Sequence, residues 1–206
     1  LRVGAIVTVS AVGVPLATIA GDPSGGLAIL AVLAAATGIG MLNGLGVAFL
    51  RVHPMIMTLA MATFLQGVLI LIAGGTAISA GSPILTFLGN ARPIGIPAGV
   101  LLWIVAAALA LVLLHATPFG ARVFALGANP LAAALSGINT RATTTAVYAI
   151  SGFLAALTAL IFVSRLTVGE PTAGNGLELE AIAIAVIGGT SLFGGQGGIV
   201  GTAIGA

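Results

Sequence analysis

The sequence has 206 residues, of which 59% are hydrophobic and 5% are charged, and its mean hydropathy is +1.27. Its six arginines and four acidic residues are too few to cover a soluble fold of this length, and disordered chains have the opposite composition. The absence of cysteine excludes a disulfide framework and a thiolate nucleophile, and a net charge of +2 excludes an extended basic surface for nucleic acid. Composition therefore predicts an all-α polytopic bundle of transmembrane helices.

Apolar runs of about 20 residues, the length that crosses a bilayer, are separated by charges and prolines. Six spans are predicted, near residues 3–20, 27–50, 55–73, 98–114, 144–164 and 181–206. The last of them is so rich in glycine that we expect a break or a re-entrant turn within it. Because the chain begins at Leu1 and ends in an apolar run, we expect residues 1–206 to be part of one transmembrane domain.

The charges predict the orientation of the spans. Alternating spans place four of the six arginines and both histidines on one side of the membrane: Arg2, Arg51, Arg122, Arg141, His53 and His115. The other side receives Arg92 and Arg165 together with all four acidic residues. Since cytoplasmic loops carry more arginine and lysine, the first side is predicted to be cytoplasmic.

Residues 116–142 are predicted to form a cytoplasmic loop with one short helix. Asn129 is a good N-cap, Pro130 suits the first helical position, and Gly137 is a typical C-terminal stop. The resulting helix of about seven residues, near 10 Å long, is too short to cross a membrane. Its small, uncharged residues Ala132, Ala133 and Ser136 are predicted to be exposed, which suits docking into a partner's groove.

Charges are absent from the middle of every predicted span, which disfavours ion-coupled pumping, and the lack of lysine excludes a phosphate-binding loop of the GxxxxGK[ST] type. Active transport by this chain would need energy from another polypeptide. Glu178 and Glu180 are two residues apart and are expected to complement a helix dipole. His53 and His115 have no partner ligands, so no metal, cofactor or catalytic residue is predicted. An intramembrane enzyme is disfavoured because no cluster of carboxylates, histidines or serines is predicted at membrane depth.

Glycines recur every four residues at Gly40 and Gly44 and again at Gly197, Gly201 and Gly205, a pattern that lets membrane helices approach closely. Neutral polar residues lie within the spans and could bond across helices or line a path for a hydroxylated solute: Asn43, Thr58, Thr63, Gln66, Ser151 and Thr158.

Several spaced stretches resemble the ribose branch of the bacterial ABC importer permeases. Residues 120–138, GARVFALGANPLAAALSGI, resemble its coupling segment, and residues 171–205, PTAGNGLELEAIAIAVIGGTSLFGGQGGIVGTAIG, resemble its most recognisable stretch. Residues 52–59, VHPMIMTL, are similar to an earlier signature. The first residues, LRVG, resemble the end of a D-L-S-V-G motif, with Arg2 in place of serine. The resemblance runs in order along the whole chain.

The resemblance implies a permease with about ten transmembrane helices, so this chain would lack helices at both ends. It also implies a dimer of permeases, a cytoplasmic ATPase bound to each copy through a coupling helix, and an extracytoplasmic sugar-binding protein that docks near residues 165–178. The positions carried over for ATPase coupling are Gly127, Asn129, Ala132, Ala133, Ser136 and Gly137.

The predicted function is the permease subunit of an ATP-driven, binding-protein-dependent monosaccharide importer in the bacterial plasma (inner) membrane. It would work by alternating access and would not itself be an enzyme. Thr58, Phe64 and Gln66 are the candidates for substrate contact. Ribose, another pentose, a hexose, an inositol and a sugar-like signal all stay open as the solute. The alternatives are a passive channel or facilitator for a small neutral solute and a branched-chain amino-acid ABC permease.

Overall fold

Long apolar runs without internal charge form helices in this chain because every backbone group is then satisfied within one segment. The computed structural model describes residues 26–74, 76–79, 83–169, 174, 176–191, 194–195 and 197–205. In chain order its elements are α1 (Gly26–Phe49), α2 (Pro54–Ala73), β1 (Ile78–Ser79), α3 (Pro83–Asn90), a 3₁₀ turn (Pro93–Gly95), α4 (Ala98–His115), α5 (Pro118–Ala128), α6 (Pro130–Leu135), α7 (Thr140–Leu166), β2 (Val168–Gly169), α8 (Leu177–Ile187) and α9 (Ile199–Gly205). The predicted all-α class is confirmed.

Four helices within the described residues are long and apolar enough to cross a membrane. They are Ile29–Phe49 within α1, together with α2, α4 and α7. Each coincides with a predicted span, so four of the six predictions agree with the structure. The predicted span at residues 3–20 lies outside the described residues.

The sixth predicted span is wrong as a continuous helix. Residues 181–206 contain the last part of α8, which ends at Ile187, and the seven-residue helix α9, which begins at Ile199. Between them Gly189, Gly194 and Gly195 have positive φ angles of 80°, 90° and 73°. Residues other than glycine rarely adopt positive φ angles, so the glycines make the interruption of the helix possible. The expected break is therefore present.

The two short helices fold back against each other. Gly201 of α9 packs on the carbonyl of Gly188, and a Cβ atom at Gly205 would lie 2.8 Å from the carbonyl oxygen of Ile184. Since increasing residue numbers in α9 meet decreasing numbers in α8, the helices run antiparallel. We call α8, α9 and the described residues between them the glycine hairpin.

The centre of the bundle is the antiparallel pair of α1 and α7. A Cβ atom at Gly44 would lie 2.7 Å from the Cα of Thr145, and one at Gly40 would lie 3.1 Å from the Cα of Gly152. Backbones this close leave no room for larger side chains, so the predicted packing role of Gly40 and Gly44 is confirmed. At the end of α1, the guanidinium of Arg141 lies 5.3 Å from the centre of the Phe49 ring, a cation–π contact.

The opposite end of α7 is covered by α3. Leu85 of α3 is fully buried and packs with Val32, Leu160 and Val163. Beside this contact, β1 pairs antiparallel with β2, with Ile78 opposite Gly169. The segment after α2 and the segment after α7 therefore lie at one end of the bundle, in agreement with the shared side that the charges predict for them.

Candidate coupling segment and membrane cavity

The loop predicted at residues 116–142 contains two helices rather than one, α5 and α6. Asn129 separates them: its backbone N–H donates to the carbonyl of Ala125, and its side-chain Oδ1 accepts from the N–H groups of Leu131 and Ala132, both at 3.0 Å. Pro130 follows at the first helical position. One residue thus ends α5 and begins α6, and the predicted N-cap is confirmed.

The far end of α6 is closed by a Schellman motif. Gly137 has a φ of 81°, its N–H donates to the carbonyl of Ala134, and the N–H of Ile138 donates to the carbonyl of Ala133, both at 3.1 Å. This pairing satisfies the free carbonyls of the last turn. Gly137 is the predicted stop, and α6, six residues long, is a rigid unit about 9 Å in length.

The surface of α6 differs from the prediction in composition. Ala133 is only 4% exposed and packs into its own chain, so its placement on the exposed face is wrong. Ala132 and Ser136 are exposed as predicted. The largest exposed groups are Leu131, at 70%, and Leu135, at 81%. Residues four apart lie on one face of a helix, so these two leucines form an apolar pair that sequence reasoning missed.

The i, i+4 spacing of Leu131 and Leu135 was visible in the sequence once Asn129 fixed where α6 begins. The sequence of a six-residue helix does not determine which of its faces contacts the rest of the chain, so the burial of Ala133 and the exposure of the leucines depend on tertiary packing. The hydroxyl of Ser136 donates to the carbonyl of Ala132 at 2.9 Å, so it bonds within the helix.

Gly127 packs against another part of its own chain. A Cβ atom at Gly127 would lie 2.7 Å from the backbone nitrogen of Gly195. A Cβ atom at Gly194 would lie 2.8 Å from the carbonyl oxygen of Gly127, so the approach is close in both directions. The end of α5 thus contacts the glycine hairpin.

A cavity of about 690 Å³ lies between α4, α5, α7 and the glycine hairpin. Trp103 and Leu114 of α4, Phe124 of α5 and Ile184 of α8 give it a mainly hydrocarbon wall. Its volume falls in the range typical of small-molecule sites.

Few hydroxyl groups line this cavity. Among the described residues they belong to Thr158, Thr190, Ser191 and Thr202; Thr158 donates to the carbonyl of Leu154 at 3.1 Å, and the hydroxyls of Thr190 and Thr202 lie 3.3 Å apart. The wall thus combines a mainly apolar surface with a small number of hydroxyl groups, as is usual for small-molecule sites.

The residues predicted for substrate contact all lie on α2, but not on one face. Thr58 is buried, and its hydroxyl donates to the carbonyl of Pro54 at 2.9 Å. Phe64 is 66% exposed, and Gln66 is half-buried. Helical geometry places Phe64 more than about 100° around the axis from either partner. The described cavity does not include any of the three in its wall.

The structure does not bring the two glutamates and two histidines discussed above together into one site. Glu178 and Glu180 lie in the first turn of α8, where carboxylates complement the helix dipole. His53 Nδ1 accepts from the N–H of Met55 at 3.4 Å, and the ring of His115 contacts that of Phe124 edge-on. Within the described residues, no group of three or more metal-binding side chains comes together.

Among the polar residues of the spans, Asn43 stands apart. It is 5% exposed, and its Oδ1 has no hydrogen-bond partner among the residues that the structure describes. Thr58, Thr63 and Thr158 instead donate to carbonyls of their own helices. The hydroxyl proton is used within the helix in each case, while the oxygen keeps the capacity to accept a hydrogen bond.

The spans, the glycine-packed α1–α7 pair and the capped α6 define a helical protein of the membrane. The chain belongs to the family described as "branched-chain amino acid transport system / permease component", whose model matches residues 1–206.

Curated relatives include the ribose import permease protein RbsC of Escherichia coli (strain K12), 40% identical over all of this chain and 65% of its own length. RbsC of Bacillus subtilis (strain 168) is 41% identical over 79% of this chain and 51% of its own length. The xylose transport system permease protein XylH of E. coli (strain K12) is 48% identical over 54% of this chain and 28% of its own length. The chain therefore spans about two thirds of the E. coli RbsC. No solved structure matches the chain.

Proposed function

We propose that the chain is the permease subunit of an ATP-driven, binding-protein-dependent importer of a monosaccharide in the bacterial plasma membrane. Similarity to ribose and xylose permeases supports a sugar as the solute. The same relatives favour a sugar over a branched-chain amino acid, although the family description names the latter. The proposal includes a second permease copy, a cytoplasmic ATPase and an extracytoplasmic sugar-binding protein as partners.

The observation that carries the proposal is the surface of α6. Two large apolar side chains, Leu131 and Leu135, are exposed on a helix fixed at both ends by caps. Arg122 and Arg141 flank this segment, so the positive-inside rule favours the cytoplasm as its location. Burial of an exposed leucine contributes about 1.5–3 kcal/mol. This pair is thus well suited to dock into a groove of the ATPase.

In the proposed cycle, closure of the ATPase dimer displaces α6 and, with it, the spans attached to it. The pathway then opens alternately to the two sides of the membrane. Thr58, Phe64 and Gln66 remain candidate contacts of the sugar, with the half-buried Gln66 offering both donors and an acceptor.

The test is uptake of a labelled panel of pentoses, hexoses and inositols by the permease reconstituted with its ATPase and binding protein. We expect uptake of at least one monosaccharide, dependent on ATP. Uptake that persists without the ATPase would instead establish a passive facilitator.

Docking is tested separately by Leu131→Asp/Leu135→Asp. Both side chains are exposed, so the permease is expected to reach the membrane at normal levels while co-purification of the ATPase falls by about tenfold or more. Phe87→Asp, at a 72% exposed residue of α3 outside the four described spans, controls for a charge added to an apolar surface. Unchanged co-purification by the double variant would contradict docking through α6.

A further inference from the structure

The contact between α5 and the glycine hairpin is formed by backbone on both sides. A Cβ atom at Gly127, Gly194 or Gly195 would lie within 2.8 Å of backbone atoms of the other segment: Gly195 nitrogen, Gly127 oxygen and Ala128 Cα, respectively. Real Cβ contacts are essentially never this short. Each of the three positions therefore requires glycine for the segments to approach, independently of the other two.

The two segments that meet here belong to different parts of the molecule. Gly127 lies two residues before Asn129, the cap that joins α5 to α6. Gly194 and Gly195 lie between α8 and α9. All three glycines also form part of the wall of the 690 Å³ cavity. Separation of the segments would consequently open that wall beside the coupling helix.

Contacts of this kind transmit displacement well. Flexible side chains absorb small shifts by changing rotamer, whereas packed backbones have no such freedom. The positive φ angles of Gly194 and Gly195 fix the turn that presents their backbone to Gly127. A shift at the end of α5 must therefore either move the turn or break the contact.

We infer that Gly127, Gly194 and Gly195 form the contact through which displacement of α6 reaches the glycine hairpin and the cavity wall. The inference rests on the proposed function and assigns these glycines as positioning residues for transport. It also gives Gly127 a role different from direct contact with the ATPase.

The first experiment compares Gly195→Ala with Gly189→Ala in the permease assembled with its ATPase and binding protein. Both glycines have a positive φ, but a Cβ atom at Gly195 would lie 2.8 Å from the Cα of Ala128 whereas one at Gly189 meets nothing within 4 Å, so Gly189→Ala is the matched control. For Gly195→Ala we expect normal ATPase co-purification and basal ATP hydrolysis, but uptake about tenfold below that of the control, because the added methyl separates the two segments. Uptake equal to that of Gly189→Ala would overturn the inference.

The second experiment tests the same contact by holding its two segments together. The Cβ of Ala128 lies 3.3 Å from a Cβ at Gly195, close to the mean disulfide separation of about 3.8 Å. The 206 residues contain no cysteine, so Ala128→Cys/Gly195→Cys introduces a single possible pair within them. Because position 195 then carries a Cβ, the reduced pair is expected to transport poorly with the ATPase still bound; oxidation, which holds the two segments together, is expected to raise uptake, and reductant is expected to lower it again.

Different outcomes test the role of the glycine contact and the proposed transport function. Failure of the pair to cross-link, or uptake that does not rise on cross-linking, would overturn the role of the contact. A lack of ATP-dependent uptake by the unaltered permease for every sugar in the panel would instead contradict the proposed function.

Discussion

The α1–α7 pair and the glycine hairpin both contain glycines four residues apart, but the helices that carry them differ in length. Gly40 and Gly44 lie in a continuous helix of 24 residues, whereas Gly201 and Gly205 lie in a helix of seven that folds back on α8. In both places the glycines bring two backbones into contact. Glycines four apart thus determine how closely helices approach. They do not determine whether a helix continues.

Continuity depends on a second property of glycine. In α1 the glycines have ordinary helical φ angles, while Gly189, Gly194 and Gly195 adopt positive ones. A positive φ ends a helix, because the following residues leave the helical path. The hairpin therefore has glycines of both kinds, and the α1–α7 pair has only the first.

The largest expected effect comes from breaking the α1–α7 pair. In Gly40→Leu the side chain would collide with the carbonyl of Tyr148 and with Gly152, so we expect loss of more than about 3 kcal/mol of stability and little protein in the membrane. Gly38→Leu, on the same helix with nothing within 4 Å of its Cβ, is the control. The amount of each variant in the membrane and its thermal unfolding temperature are the measurements. Equal values for Gly40→Leu and Gly38→Leu would show that the α1–α7 pair is not the centre of the fold.

A smaller effect is expected in the hairpin. Gly201→Val would push α9 away from the carbonyl of Gly188, at a cost of about 1–3 kcal/mol, while the α1–α7 pair stays intact. The variant should reach the membrane and keep its spans but lose most uptake. Gly198→Val, where a Cβ atom meets nothing within 4 Å, serves as the control. A complete loss of folded Gly201→Val would mean that the hairpin belongs to the core of the fold.

The smallest expected effect is a change in stability that comes from backbone conformation and not from packing. Neither Gly189 nor Gly67 has neighbours within 4 Å of a Cβ, but only Gly189 has a positive φ. Gly189→Ala should therefore destabilise by about 1–2 kcal/mol through strain alone. Gly67→Ala should stabilise α2 by less than about 1 kcal/mol. Denaturation midpoints in detergent would show the difference, and identical midpoints would contradict the assignment of the break to Gly189.

Local features of this fold were accessible from the sequence. Asn129, Pro130 and Gly137 act through groups within a few residues of themselves, so their capping roles could be predicted correctly. The same holds for the four spans, since length and hydropathy suffice for a membrane helix.

Features that depend on distant residues were not accessible. The burial of Ala133 depends on which side of α6 meets the rest of the chain. The contact of Gly127 with Gly195 joins residues far apart in sequence, and β1 and β2 are two residues each, too short for a recognisable pattern. The glycine-rich sequence indicated a break in the last predicted span, but only the φ angles locate it at Gly189.

The attachment of α6 at its C-terminal side has a mechanical consequence. Asn139 begins α7 by accepting from the N–H of Ala142 at 3.1 Å, and α7 is held against α1 over its length. Asn139 thus attaches α6 to the closely packed α1–α7 pair, while the end of α5 that carries Gly127 is attached to the glycine hairpin. A force applied at Leu131 or Leu135 would therefore be shared between two separate anchoring points, one on each side of α6.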